Sequence, residues 1–286
     1  MFTERGIFHQ GSNRIAVLLI HGLTGTPKEM DSVALRLHRY GFSVSIPVLA
    51  GHCSTIESLM ATNRTSWLAS VEQEYLRLKD LGYKVFVGGL SAGASMSILT
   101  ASKFPEIAGL ALYSTTLRTD GWSVSRFGRF LPLLLKIPFF RNGYRFKEAY
   151  PYGIKNEPLR ERIVMKLDSG DSSAAGHTST PGMILYEMLE MADMAKEVMA
   201  NVKAPALIVH AEEDDLASVN NARYVEQHYG GRSELLLLKD SYHLVTIDQE
   251  RQLVADATAR FFFSCLNAEE QQMVQAAAKK AIPQPK

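Results

Sequence analysis

Gly89-Leu90-Ser91-Ala92-Gly93 sets a serine between small residues, directly after the apolar run KVFVG (84–88) and before a segment of helical period. A sharp strand-to-helix turn of this kind lifts a hydroxyl to the top of a sheet, and the small neighbours let the backbone bend without a clash. A serine alcohol is a weak nucleophile near neutral pH, so it needs a base within hydrogen-bond reach and a third group to orient that base. Of the eight histidines, His243 is the one that follows the last apolar run, in KDSYHLVTIDQE, where a serine, acid, histidine order would put it. The acid is then expected after the preceding strand, at the end of a sheet where functional groups gather. The run Glu212-Glu213-Asp214-Asp215 fills that loop and leaves more than one carboxylate open. Acyl transfer also needs donors for a developing oxyanion. His21-Gly22-Leu23-Thr24-Gly25 follows the first apolar run, and the backbone N–H groups of Leu23 and Ala92 are the ones we assign to that role. Ala92 opens a helix, whose positive end favours a negative oxygen. His21 is expected to brace its loop rather than to move protons.

The elements that must hold these groups alternate short apolar runs with helical periods, the pattern of a parallel sheet covered by helices. Strands are predicted over 15–20, 42–47, 84–88, 109–114, 206–210 and 234–238. IAVLLI (15–20) is continuously apolar, as expected of a strand buried on both faces. Between the strands, Thr26 can cap a helix with Pro27 in its first turn, Glu29 reaching back and Gly41 closing it. A second helix starts at Thr65, with Leu68, Val71, Tyr75 and Leu78 as its apolar stripe. Further helices are predicted over 92–104, 219–228 and 248–265. Residues 117–182 break the rhythm without a clear strand and read as an inserted cap, leaving a core of residues 1–116 and 183–286. The second part of that insertion, 168–182, reads as a flexible polar loop. Met183, Met188, Met191, Met194 and Met199 crowd the next helix, either packing it or lining an acyl pocket. The tail beyond Asn267 is expected to be a frayed helix that then loses order.

HGLTGTPKEM, GLSAG, the acidic loop after 206–210 and SYHLVTID, falling in this order, resemble the α/β-hydrolase superfamily, and within it the bacterial carboxylesterase and monoacylglycerol lipase group. The resemblance covers about residues 15–114 and 183–265. It implies an α/β fold, a mostly parallel central sheet flanked by helices with a cap over the site, and a triad of Ser91, Asp214 and His243, with Asp215 as the fallback acid. It implies a serine hydrolase cleaving esters of lipophilic acyl chains, with neither metal nor organic cofactor. An acyl thioesterase is the rival enzyme, and a catalytically silent binding module is the rival of another class. The chain departs from the group's pattern at Ala94 and Cys53, where glycine is usual, at Ser218, where proline is common, and in the length of the insertion.

Composition narrows the partners. Lysine plus arginine number 31 against 30 acidic residues, a net charge of +1, so no overall field would gather nucleic acid. The hydrophobic fraction of 46% in 286 residues is enough for a sizeable core. Two cysteines make neither a disulfide framework nor a structural zinc site. No apolar run of signal-peptide length precedes Ile15, and the expectation is a cytoplasmic chain without a cleaved leader. Within the insertion, Arg126, Arg129, Lys136, Arg141, Arg145 and Lys147 interleave with apolar residues. That segment could rest on an anionic membrane surface. The preferred expectation is that it buries its apolar side on the sheet and keeps its basic groups in water.

Overall fold

The computed structural model describes residues 2–3, 6–125, 128, 130–147, 149–168, 176 and 179–281. Its strands are β1 (Phe2–Thr3), β2 (Gly6–His9), β3 (Ile15–Ile20), β4 (Ser43–Pro47), β5 (Lys84–Leu90), β6 (Leu110–Tyr113), β7 (Arg145–Lys147), β8 (Ser179–Pro181), β9 (Ala206–Ala211) and β10 (Ser233–Leu238). Eight of them form one sheet in the order β1-β2-β4-β3-β5-β6-β9-β10. Every pairing from β4 to β10 is parallel, and only β1 and β2 run antiparallel to their neighbours.

Continuous apolar runs become central strands because both faces of the sheet are covered. In β3, Ala16, Leu18 and Ile20 enter one buried cluster while Ile15, Val17 and Leu19 enter the other. The first cluster packs beneath the helices Arg64–Asp80, Ala92–Lys103, Gly182–Val198 and Asn220–His228; the second packs beneath Asp31–Arg39 and Arg251–Ser264. Strand order reverses between β3 and β5, which opens a crevice at the carboxyl ends of the strands. Register aligns those ends: Ile20 lies beside Gly89, Leu90 beside Tyr113, and Tyr113 beside Val209.

All six predicted strands are present, with β5 running on to Leu90 so that Gly89 is part of the ladder. The predicted capping box at Thr26 does not form. The chain makes a 3₁₀ turn over Pro27–Met30, Thr26 makes no side-chain cap bond, and Glu29 turns instead to the N–H of Gly22. The next long helix begins at Arg64 rather than Thr65. Asn63 caps it, its side chain taking the Ser66 N–H while Ser66 Oγ takes that of Asn63. Trp67, not Leu68, heads its buried stripe.

The helix expected after Asn267 is present and is packed against the core. Residues Ala268–Ala281 form a helix that buries Val274 and Ala277 and pairs Glu270 with Lys84 at 2.8 Å. Gly41, at φ +102°, permits this close approach, since a Cβ there would stand 2.4 Å from the Val274 carbonyl. The β1–β2 hairpin carried no sequence signal of its own, because its polar edge shows little alternation.

The segment 117–182, read as free of clear strands, does contain them. β7 and β8 pair antiparallel, Arg145 opposite Pro181 and Lys147 opposite Ser179. At three residues each they are too short to set up a period. Most of the predicted polar loop, residues 169–175 and 177–178, lies outside the described residues, as do Arg126, Arg129 and 282–286. Among the described residues the segment also holds three α-helices, Leu131–Leu135, Pro138–Gly143 and Glu157–Asp168. The expected burial of the first two against the sheet is mostly unmet. Leu135 is buried, but Phe130, Leu133, Leu134, Ile137, Phe139 and Phe140 are exposed. Met188, Met191 and Met199 are buried in the core, whereas Met194 is exposed. Among the described residues, no helix is long and apolar enough to cross a membrane.

Candidate active site

Ser91 sits at the tip of a strained turn between β5 and the helix Ala92–Lys103, with φ +57° and ψ −112°. Such a conformation is costly for a residue with a Cβ and persists only where its surroundings enforce it. The flanking glycines let the surrounding backbone close in around it. A Cβ on Gly89 would lie 2.1 Å from the Gly93 carbonyl, and one on Gly93 would lie 2.4 Å from that of Ile20. The Ser91 N–H is anchored to the Tyr113 carbonyl at 2.8 Å. Ala94 is buried where it stands, so a methyl group is accommodated there.

His243 lies in the loop between β10 and the helix Arg251–Ser264. Its carbonyl accepts the Ser114 hydroxyl at 2.6 Å, which ties this loop to the strand end beside Ser91. Its Nδ1 is 2.8 Å from Asp214 Oδ2 and 3.1 Å from Oδ1. Its Nε2 is buried and has no hydrogen-bond partner among the described residues. Burial pushes the imidazole toward neutrality. The charge and hydrogen bond of Asp214, with further help from Asp215 and Glu29, outweigh it and raise the pKa. For Asp214 the balance is the mirror image: burial raises its pKa, but His243, His210 and the Ala217 N–H together bring it below the usual carboxylate range. Asp214 Oδ1 also accepts the N–H groups of Leu216 and Ala217 at 2.9 and 2.8 Å. An ionised carboxylate held by imidazole and two amides is well placed to fix one tautomer, Nδ1–H toward the acid and Nε2 free to take a proton.

Asp215 is turned elsewhere. Its oxygens accept the backbone N–H groups of His243 at 3.2 Å and Gly153 at 3.1 Å, so it joins the base loop to the insertion. Asp248, fully buried, does the same through Tyr242, Lys155 and Asn156.

The loop after β3 carries Gly22 against Ser91, where a Cβ would stand 3.8 Å from that of the serine. Ala92 is the first residue of its helix, so its N–H has no intrahelical acceptor. His21 braces the loop as expected: Nδ1 meets the Gly22 carbonyl at 2.9 Å and Nε2 takes the Leu49 N–H at 3.4 Å. Burial, then the neighbouring His52, lowers its pKa to about 3 and keeps it neutral.

Several groups at this end carry no sequence motif. Thr116 Oγ1 is 3.0 Å from the Ser91 hydroxyl, holding it in the resting state. His210 is buried, gives its Nε2 proton to the Ala217 carbonyl at 2.7 Å, and lies 3.4 Å from Asp214. Both follow directly from position at a strand's carboxyl end, the one signal that could have singled them out.

The departures at Cys53 and Ser218 have physical reasons. Cys53 adopts φ +55°, the left-handed region that favours glycine. Its thiol is pushed up to about 11 by burial and by Glu29. Ser218 gives its N–H to Asp120 at 2.8 Å, a bond no proline could make. Asp120 also holds Asn221, whose side-chain oxygen accepts the N–H groups of Leu117 and Arg118. Residues 117 and 118 are thus bound to the segment that follows β9.

A mostly parallel sheet with a serine elbow after β5, an acid after β9 and a histidine after β10 defines an α/β-hydrolase. Residues 11–250 match the serine aminopeptidase S33 family, and the chain belongs to it. It is 26% identical to the thermostable monoacylglycerol lipase of Bacillus sp. (strain H-257), over 89% of this chain and 93% of that one. It is 24% identical to a carboxylesterase of Bacillus subtilis (strain 168), over 88% and 93%. Among solved structures, one from a study of the metagenome-derived lipolytic enzymes LipS and LipT superposes with a TM-score of 0.76 at 26% identity, covering 90% of this chain and 96% of that one. The chain is a serine hydrolase of lipase and esterase type.

Proposed function

We propose that the chain hydrolyses carboxylic esters of lipophilic acyl chains through an acyl-enzyme on Ser91. The observation that carries this reading is the buried Asp214–His243 pair with the imidazole Nε2 unengaged, on a loop tied through Ser114 to the strand end that anchors the strained Ser91 turn. In the proposed sequence Ser91 turns from Thr116 to His243, and its oxygen attacks the ester carbonyl as Nε2 takes the hydroxyl proton. The carbonyl oxygen becomes an oxyanion facing the N–H groups of Leu23 and Ala92. Collapse breaks the bond to the alcohol oxygen, which leaves with the proton from His243. Water then gives a proton to His243 and attacks the acyl carbonyl, and the second collapse returns that proton to Ser91 as the acid departs. Asp214 stays ionised throughout and stabilises the transient imidazolium.

The monoacylglycerol lipase and carboxylesterase among the relatives support a lipophilic carboxylic ester as substrate. Comparing p-nitrophenyl esters of increasing acyl length with acyl-CoA of the same chains tests this. The proposal expects kcat/KM to favour the esters and to rise with chain length; preference for acyl-CoA would point to a thioesterase.

Residues 117–182 are proposed as a lid inserted into the core of 1–116 and 183–286. This is supported by the Gly153–Asp215 bond and by Gly176, where a Cβ would meet the Thr24 carbonyl at 2.4 Å. A second, compatible reading is that the lid touches a membrane surface. The exposed Phe139 and its apolar neighbours stand among exposed Lys136, Arg145 and Lys147, a mix suited to an anionic lipid interface. The free thiols of Cys53 and Cys265 fit a reducing, cytoplasmic setting.

A further inference from the structure

Glu29 lies seven residues beyond Gly22, at the end of the 3₁₀ turn that follows the oxyanion loop. Its Oε2 accepts the Gly22 N–H at 3.0 Å. The same carboxylate fills the space on the open side of Gly25, where a Cβ would come within 2.2 Å of Oε1 and 2.4 Å of Oε2. Gly22 in turn abuts Ser91 and the Leu90 carbonyl. One half-buried side chain therefore spans both glycines of the loop whose next N–H, that of Leu23, is assigned to the oxyanion. Between these glycines Thr24 is held at φ +57° with its hydroxyl on the Leu23 carbonyl at 2.6 Å, so the loop has a defined shape that needs an external brace.

We propose that Glu29 is a positioning residue for ester hydrolysis, its carboxylate fixing Gly22-Leu23-Thr24-Gly25 so that the Leu23 N–H points at the oxyanion. The inference rests on the Ser91 reading above and deepens it. Nothing in the sequence pattern of a helix cap required this carboxylate to reach backward over the loop; the failure of the Thr26 capping box is what frees it to do so.

The charge of Glu29 has two opposed consequences. It disfavours a negative oxygen nearby and favours a protonated His243. The imidazole is faced also by Asp214 and Asp215 and lies near His210, while Glu29 is neighboured by Lys28 and the Cys53 thiol. Geometry and charge can be separated because an amide oxygen still accepts a hydrogen bond. Loss of a single oxyanion donor costs on the order of 10²–10³ in kcat, and a donor left in place but misaimed costs less.

The test compares wild type, Glu29→Gln and Glu29→Ala on one p-nitrophenyl ester, with Ser91→Ala as control and thermal midpoints recorded. The expected result for Glu29→Ala is a fall in kcat of about 10-fold or more with KM changed by less than about 2-fold. Glu29→Gln is expected to recover most of that kcat and to move the acidic limb of kcat/KM to lower pH, since a negative neighbour of His243 is gone. Wild-type kcat in Glu29→Ala, or equal losses in the two variants, would overturn the role of Glu29. Activity surviving in Ser91→Ala would instead overturn the reading on which it rests.

Discussion

Two adjacent aspartates differ by one position and by everything they touch. Asp214 meets the His243 ring, whereas Asp215 meets backbone N–H groups of His243 and Gly153. Exchanging Asp214→Asn is expected to lower kcat by roughly 10⁴, because the imidazole loses the anion that sets its tautomer. Asp215→Asn keeps an acceptor and should lose far less. His243 must be neutral to take the serine proton, and its partners raise its pKa, so activity should decline as pH falls through that raised value. In Asp214→Asn the chief raising partner is gone, so the residual activity should hold to lower pH. A pH series of kcat/KM on both variants checks these outcomes. At this scale the sequence carried a good deal: Ser91 and His243 stood out by motif and by place in the strand order. The contacts of Thr116, His210 and Glu29 did not, since each depends on how a loop folds back at the strand ends rather than on a motif.

Among the elements, strands were legible wherever both faces are buried, because a continuous apolar run as short as Ile15–Ile20, with no polar face to turn toward water, suits a central strand. The short ribbon of β7 and β8 was not, because pairing there is set by the geometry of the insertion rather than by a pattern within either strand. The C-terminal helix was legible but its docking was not: that depends on Gly41, a residue more than two hundred positions away that leaves room for Val274 and Ala277. The joint between insertion and acid loop depends on Asn221, which is buried and accepts two backbone N–H groups while donating to Asp120 and the Ser218 carbonyl. Asn221→Ala would strand the N–H groups of Leu117 and Arg118. A destabilisation of about 2 kcal/mol or more is expected from urea unfolding, with activity falling as the acid loop loosens.

Across the whole molecule, one sheet drawn from two stretches of sequence brings Ser91, Asp214 and His243 to a single edge, and the intervening segment 117–182 is fastened there through Gly153, Lys155 and Asn156. The near-zero net charge hides an acidic loop at 212–215 and a basic stretch in the insertion. If that stretch meets lipid, anionic liposomes should sediment the protein at low salt and less of it at high salt, and Phe139→Ser should reduce binding while leaving hydrolysis of a soluble short-chain ester unchanged. Equal recovery with uncharged and anionic vesicles at every salt would refute the electrostatic part. The central claim is the nucleophile, and intact-mass analysis after treatment with a fluorophosphonate tests it most directly. One adduct is predicted, located on Ser91, absent in folded Ser91→Ala together with ester hydrolysis; an adduct on another residue, or undiminished turnover by Ser91→Ala, would contradict the account.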